Sequence, residues 1–213
     1  MKVVAINGSP KHNGNTAQLI DTIAQELSKE NIETEILHIG NKTIRGCFGC
    51  GACAKNQDER CVAKDDEYVN ECIQKMKEAD GILIGTPVHF AGIAGTMKSF
   101  LDRAFYVSGT NGGLFRGKVG ASIVAVRRSG GVGTFDAMNH YLNYAEMVMP
   151  TSNYWSVVHG RMPGEVQEDL EGMQTARVLG KNMAWALKMV ENAKAHNITQ
   201  PLREAKVMTS FVR

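Results

Sequence analysis

Val3-Val4-Ala5-Ile6-Asn7-Gly8-Ser9-Pro10-Lys11-His12-Asn13-Gly14-Asn15-Thr16 is the stretch on which the fold turns. A short apolar, β-branched run ends in Asn-Gly, so Val3 to Ile6 reads as a buried first strand. Asn15 or Thr16 then caps a helix whose apolar residues Leu19, Ile20, Ile23, Ala24 and Leu27 follow helical spacing. Between strand and helix the small residues let the backbone fold tightly, while Ser9, Asn15 and Thr16 supply hydroxyl and amide donors. The helix would aim its free N–H groups and positive dipole end at the same spot. The segment is predicted to hold a phosphate. No Gly-Lys-Ser/Thr closes it, so it is not a nucleotide triphosphate loop, and it lacks Gly-x-Gly-x-x-Gly. An ordinary polar strand-to-helix turn is the competing reading.

Outward from this unit, strand and helix signals alternate. Ile32 to Ile39 suits an edge strand, and a cysteine-rich loop follows. Asp65 or Asp66 caps a helix carrying Val69, Cys72, Ile73 and Met76 on one face, where Cys72 is a small core residue. Gly81 to Gly85 is continuously apolar, as a central parallel strand should be. After Thr86 to Phe90 comes a short helix through Met97, Phe100, Leu101 and Ala104. Val119 to Val126 is a fourth strand. A helix from about Thr134 to Met147 precedes a fifth strand, Asn153 to Val158, and a long helix from Leu170 to Val190. This order predicts an α/β fold: a doubly wound, five-stranded parallel sheet with helices on both faces. Residues 1–195 would form one domain with the cysteine loop 47–61 inserted. The polar tail 196–213 would pack on a neighbouring subunit or be loose. Ligands of such sheets bind at the carboxyl ends of the strands, here after strands one, three and four.

The bulk numbers narrow the partners. The 213 residues suit one well-buried domain, and 43% apolar with 22% charged residues is a globular composition. With 24 basic against 22 acidic residues, the net charge of +2 gives no electrostatic reason to expect nucleic acid or an anionic membrane. No apolar run approaches the ~20 residues of a membrane helix, and the N-terminus does not resemble a signal peptide. A cytoplasmic location is expected.

Gly-Ser-Pro-Lys followed by Gly-Asn-Thr resembles the phosphate loop of the NADPH-dependent FMN reductase and iron-sulfur flavoprotein families, which share the flavodoxin-like fold. The resemblance implies FMN as cofactor, its phosphate held by Ser9, Asn15 and Thr16 with Lys11 and Gly14 in the same loop. Thr86-Pro87-Val88-His89-Phe90-Ala91-Gly92 is similar to the families' Thr-Pro-Val-Tyr stretch, whose backbone runs along the isoalloxazine ring. Pro87, Val88, His89 and Phe90 would therefore contact the flavin. His89 stands where tyrosine is usual, and Phe90 offers an aromatic surface; a loop histidine without duty is the other reading. The glycine-rich loop after strand four resembles the one that meets the ring's pyrimidine side, which implicates Arg127, Ser129, Gly130 and Gly131. No catalytic acid or base is expected, because a flavin accepts hydride on its own ring.

Four of the five cysteines fall within fifteen residues: Cys47, Cys50, Cys53 and Cys61. Clustered thiols in such a chain point to metal or redox chemistry rather than disulfides. Gaps of two bring three thiolates round one corner of a cubane, and the longer gap lets the fourth return to it. The spacing resembles the compact motif of the iron-sulfur flavoproteins, which hold a [4Fe-4S] cluster. Free thiols in an FMN-only relative remain the main alternative. Zinc is a third, although zinc ligands more often form two separated pairs. A small tyrosine phosphatase is excluded, since the first loop has no cysteine.

Together these readings predict an FMN-dependent oxidoreductase. Electrons would come from NAD(P)H or ferredoxin, through FMN and a [4Fe-4S] cluster, to a small acceptor such as a quinone, nitro or azo compound, flavin or oxygen. An FMN-only reductase and a non-catalytic electron carrier are the alternatives. The resemblance further suggests a homodimer or homotetramer, with contacts through residues 107–118, the cysteine loop and the tail.

Overall fold

The computed structural model describes residues 1–63, 67–209 and 211; the expected helix caps Asp65 and Asp66 lie outside them. In chain order the elements are β1 (Lys2–Asn7), α1 (Asn15–Ser28), β2 (Glu33–His38), α2 (Ala52–Asn56), α3 (Glu67–Glu78), β3 (Gly81–His89) and β4 (Gly92–Ile93). They continue with α4 (Gly95–Thr110), β5 (Val119–Val126), α5 (Gly131–Tyr144), β6 (Val157–His159), a 3-10 turn (Glu165–Glu168) and α6 (Leu170–Ala195).

Five strands pair in parallel in the order β2-β1-β3-β5-β6, and the two-residue β4 folds back antiparallel on the end of β3. The chain runs from β1 to one neighbour and then crosses to β3 on the other side, so the direction of winding switches between β1 and β3. That is the crevice where doubly wound sheets take their ligands.

Alternation along β1 divides the core. Val4 and Ile6 pack with Phe100, Leu101 and Met138 on the face covered by α3, α4 and α5. Val3 and Ala5 pack with Leu19, Ile23, Leu179 and Met183 under α1 and α6. The central strands β1, β3 and β5 are buried on both faces, which is why they read as unbroken apolar runs.

Several expectations are corrected. Gly14, in extended conformation, is the N-cap of α1, and no side chain caps it; Asn15 and Thr16 are the first helical residues. The helix after β3 is not short: α4 spans 16 residues to Thr110 and absorbs the start of the supposed 107–118 loop. Helix α5 begins at Gly131 rather than Thr134. The fifth parallel strand is only Val157–His159, because residues 149–155 leave the ladder. Three tail residues make contacts within the chain. Arg116 Nη2 donates to the Pro201 carbonyl at 2.9 Å, Arg203 lies 3.5 Å from Glu146, and Lys206 Nζ sits 3.7 Å above the Tyr144 ring.

Candidate functional site

The loop after β1 is pinned at both ends. Gly8 N–H donates to the Gly85 carbonyl at 2.8 Å, which ties it across the β1–β3 boundary. Asn7 Oδ1 accepts from Ser9 N–H at 3.0 Å, Ser9 Oγ accepts from Lys11 N–H at 3.2 Å, and Gly14 N–H reaches the Lys11 carbonyl. Ser9, Asn15 and Thr16 are all buried. Among the described residues Thr16 Oγ1 has no hydrogen-bond partner. A buried hydroxyl left unpaired costs about 1–3 kcal/mol, so the pocket has room for an acceptor that the protein does not supply.

Asn15 has a further contact beyond the loop. Its Oδ1 accepts from Gly164 N–H at 2.9 Å, binding the loop after β6 to the start of α1, and only its amide NH2 remains for a ligand. Two further residues shape the loop from behind. His38 Nε2 lies 2.7 Å from the Ser9 carbonyl. A Cβ on Gly40 would fall 2.0 Å from the same oxygen, so only glycine permits this approach.

The end of β3 supplies the second wall. Thr86 Oγ1 accepts from Ala94 N–H at 3.4 Å and closes the 86–94 turn. Pro87 and Val88 are half-buried and His89 is exposed. Phe90, at φ 55° and 96% exposed, projects into solvent with its ring edge-on to His89. The third wall follows β5. Gly130 adopts φ 88°, and its missing Cβ would lie 3.2 Å from Val88 Cγ1, so the two loops meet there. Gly131 is buried in the first turn of α5, where a Cβ would strike Val157 at 2.2 Å.

Ser9, Lys11, Gly14, Asn15, Thr16, Pro87, Val88, His89 and Arg127 thus line one cleft. Phe90, Ser129, Gly130 and Gly131 do not line it; the last two act by allowing close packing behind it. Gly160, Arg161 and Pro163, after β6, complete the wall and were missed in the sequence, although they too follow a strand's carboxyl end. Lys11, Arg127 and Arg161 make the mouth cationic, and among the described residues none of the three has a carboxylate within ion-pair distance.

The cysteine loop forms a second locus. Cys47, Cys50, Cys53 and Cys61 line one small cavity with Arg103, Tyr106 and Val107 of α4. Positive φ at Gly49 and Gly51 turns the chain between the first three thiols. Asn70, itself buried, grips Cys61 twice, accepting from its N–H at 2.7 Å and donating to its carbonyl at 2.9 Å. Asn111 holds the Cys53 carbonyl at 3.3 Å and accepts from Glu59 N–H at 2.9 Å. Burial pushes the Cys53 thiol pKa up, opposed by the Thr110 hydroxyl 3.9 Å from its sulfur. Among the described residues no three His, Cys, Asp or Glu side chains are grouped to hold a metal ion. Cys72 is the core residue expected: fully buried, its pKa pushed up to about 12 by desolvation.

The sequence model of the NADPH-dependent FMN reductases matches residues 1–161. The chain belongs to that family. This reductase is an NAD(P)H-dependent FMN oxidoreductase. An iron-sulfur flavoprotein of Methanocaldococcus jannaschii is 36% identical over 198 residues, covering 90% of this chain and all of its own. Another, from Archaeoglobus fulgidus, is 34% identical over 212 residues, covering 96% and 100%. Among solved structures, the fold is similar to an NAD(P)H:quinone oxidoreductase from Methanothermobacter marburgensis. The TM-score is 0.61 at 15% identity, covering 86% of this chain and 96% of that one. It is likewise similar to an archaeal flavodoxin, with a TM-score of 0.58 at 15% identity over 88% and 99% of the two chains. The reductase's cleft fits FMN on its own evidence: an unpaired buried hydroxyl and a free helix N-terminus suit a phosphate, and a mouth of three cations suits anionic ligands. Among the described residues no helix is long and apolar enough to cross a membrane.

Proposed function

We propose that this cleft holds FMN and that the reductase passes electrons from NAD(P)H or ferredoxin to a small acceptor of the quinone, nitro, azo, flavin or oxygen type. The observation that carries the reading is the buried, unpaired Thr16 hydroxyl at the open start of α1. Bound FMN would supply hydride acceptance and release of electrons singly or in pairs. The chain's own residues would bind and orient it. Ser9 and Thr16 donate to the phosphate, joined by the free N–H groups of α1 and the Lys11 charge. Pro87 and Val88 present backbone to the ring, and Arg127 favours negative charge at its edge.

Cys47, Cys50, Cys53 and Cys61 would hold a [4Fe-4S] cluster, a donor set that suits iron and shares one cavity. The relatives named iron-sulfur flavoproteins support this assignment. A second reading, an FMN-only reductase, is favoured by the ungrouped thiols. Self-association as a homodimer or homotetramer and a cytoplasmic location complete the proposal.

Anaerobic purification with iron and sulfide reconstitution tests it. About four irons per chain, lost in Cys50→Ser, with flavin absorbance and NAD(P)H consumption retained, is the expected result. A colourless protein would refute the FMN site, and fewer than about two irons per chain, unchanged in Cys50→Ser, would leave FMN alone. Light scattering on the same sample should exceed the 23.3 kDa of one chain.

A further inference from the structure

We propose that a cavity at the open edge of β5 is a second small-molecule site, taking a neutral planar ring that carries an amide-type edge. Strand β5 pairs with β3 from Val119 to Ala125, but on its other side, among the described residues, it has partners only at its ends. Gly120 N–H donates to Val148 at 2.9 Å and Val124 N–H to Ser156 at 2.9 Å. Between these points the chain bulges out as a strap. Two bonds hold it away on α6: Ser152 Oγ donates to the Thr175 carbonyl at 2.7 Å, and Asn182 Nδ2 to the Thr151 carbonyl at 2.6 Å.

The bulge encloses a cavity of about 370 Å³, within the size range of small-ligand sites. Alternate residues of a strand direct their backbone groups to the same edge, and Gly120 and Val124 face the strap. Ser122 therefore presents its N–H and C=O into the gap, a donor beside an acceptor. The Ser122 side chain is buried and donates to Asn139 Oδ1 at 2.6 Å, which leaves the Asn139 amide NH2 available beside them. Phe135, Met149 and Leu179 supply apolar walls. Tyr154 and Trp155, rings 4.6 Å apart and half-exposed, stand at the mouth. No lining residue carries a charge, in contrast to the cationic flavin cleft, so the ligand is neutral. The strap covers the edge against a docking strand, and an aromatic carboxamide or lactam matches what is left: flat, uncharged, donor next to acceptor.

Benzamide is a suitable probe. The chain has two tryptophans, so Trp185→Phe, at an exposed position on α6, makes Trp155 the sole reporter. Titration of the flavin-loaded protein should give a saturable change in Trp155 emission at millimolar benzamide while the visible flavin spectrum stays still. Asn139→Leu should weaken binding at least tenfold. Where that variant melts early or loses flavin, calorimetry on Trp155→Ala, with the same expected loss, replaces it. The proposal is overturned by an unsaturable response, by affinity unchanged in the usable variant, or by a flavin spectrum that shifts in step with the titration. The last result would place benzamide in the flavin cleft and leave the FMN assignment intact.

Discussion

Replacing Thr16 by valine separates a ligand-binding hydroxyl from a structural one, because the two roles predict opposite signs. The threonine hydroxyl is buried without a partner, whereas the methyl group packs close to Gly85, at 3.2 Å from where a Cβ would stand. Valine keeps that methyl and the β-branched shape. In the flavin-free protein the change removes an unsatisfied polar atom, so stability should rise by up to about 1–3 kcal/mol. For a domain of this size that is about 2–4 °C in Tm per kcal/mol. In the loaded protein it removes a hydrogen bond to a charged acceptor, worth about 1.5–3 kcal/mol, so the FMN Kd should rise about 10–150-fold. Differential scanning fluorimetry of stripped protein and quenching of FMN fluorescence on rebinding give the two numbers. A Tm that falls together with the affinity would show that the hydroxyl is bonded within the protein. An unchanged Kd would move the phosphate away from α1.

Gly40→Ala should weaken FMN binding without touching the cofactor, since its Cβ would lie 2.0 Å from the Ser9 carbonyl and displace the loop. Overpacking of this kind costs about 1–3 kcal/mol, and an unaltered Kd by the same quenching assay would refute the close approach. Asp169 caps α6 through Gly172 N–H at 2.9 Å and also accepts from His159 N–H at 2.7 Å. Desolvation opposes its charge, but these bonds prevail and hold the carboxyl below its ordinary value. A depressed folded pKa adds stability above the unfolded pKa and loses it as pH falls through the folded one. The wild type should therefore exceed Asp169→Asn in urea midpoint at neutral pH, with the gap closing below about pH 4; a constant gap would contradict the assignment.

What the sequence reveals and what it hides follow from the range of the contacts. The loop from Gly8 to Thr16 is legible because its donors, glycines and following helix are consecutive. Three of the strands read cleanly because burial on both faces makes them continuously apolar. The pairing of Asn15 with Gly164, and the fit of Gly40 against Ser9, join segments far apart in the chain and leave no local trace. Helix α4 outruns its apolar pattern because polar residues continue its buried face. Arg103 is buried and donates to the Arg45 carbonyl, and Ser108 accepts from Phe115 N–H at 3.1 Å. The fifth strand is misplaced by its composition: Tyr154 and Trp155 look like strand residues, yet Ser152 and Asn182 tie the strap to α6 instead. The four cysteines are plain in the sequence, but the bonds that Asn70 and Asn111 make to the Cys61 and Cys53 backbone follow no spacing rule.

Helix α4 is the element that relates the two candidate sites. Its entry is fixed by Thr86 Oγ1 holding Ala94 N–H, and Met97 in its first turn packs under Gly8, where a Cβ would lie 2.7 Å away. Its middle carries Arg103, Tyr106 and Val107, which wall the thiol cavity, and its end offers Thr110 and Asn111 to the cysteine loop. From Met97 to Val107 the rise is about 15 Å. One helix thus packs on the phosphate loop at its start and walls the thiol cavity at its middle. Remodelling the cysteine loop can change what it binds while the flavin cleft keeps its shape.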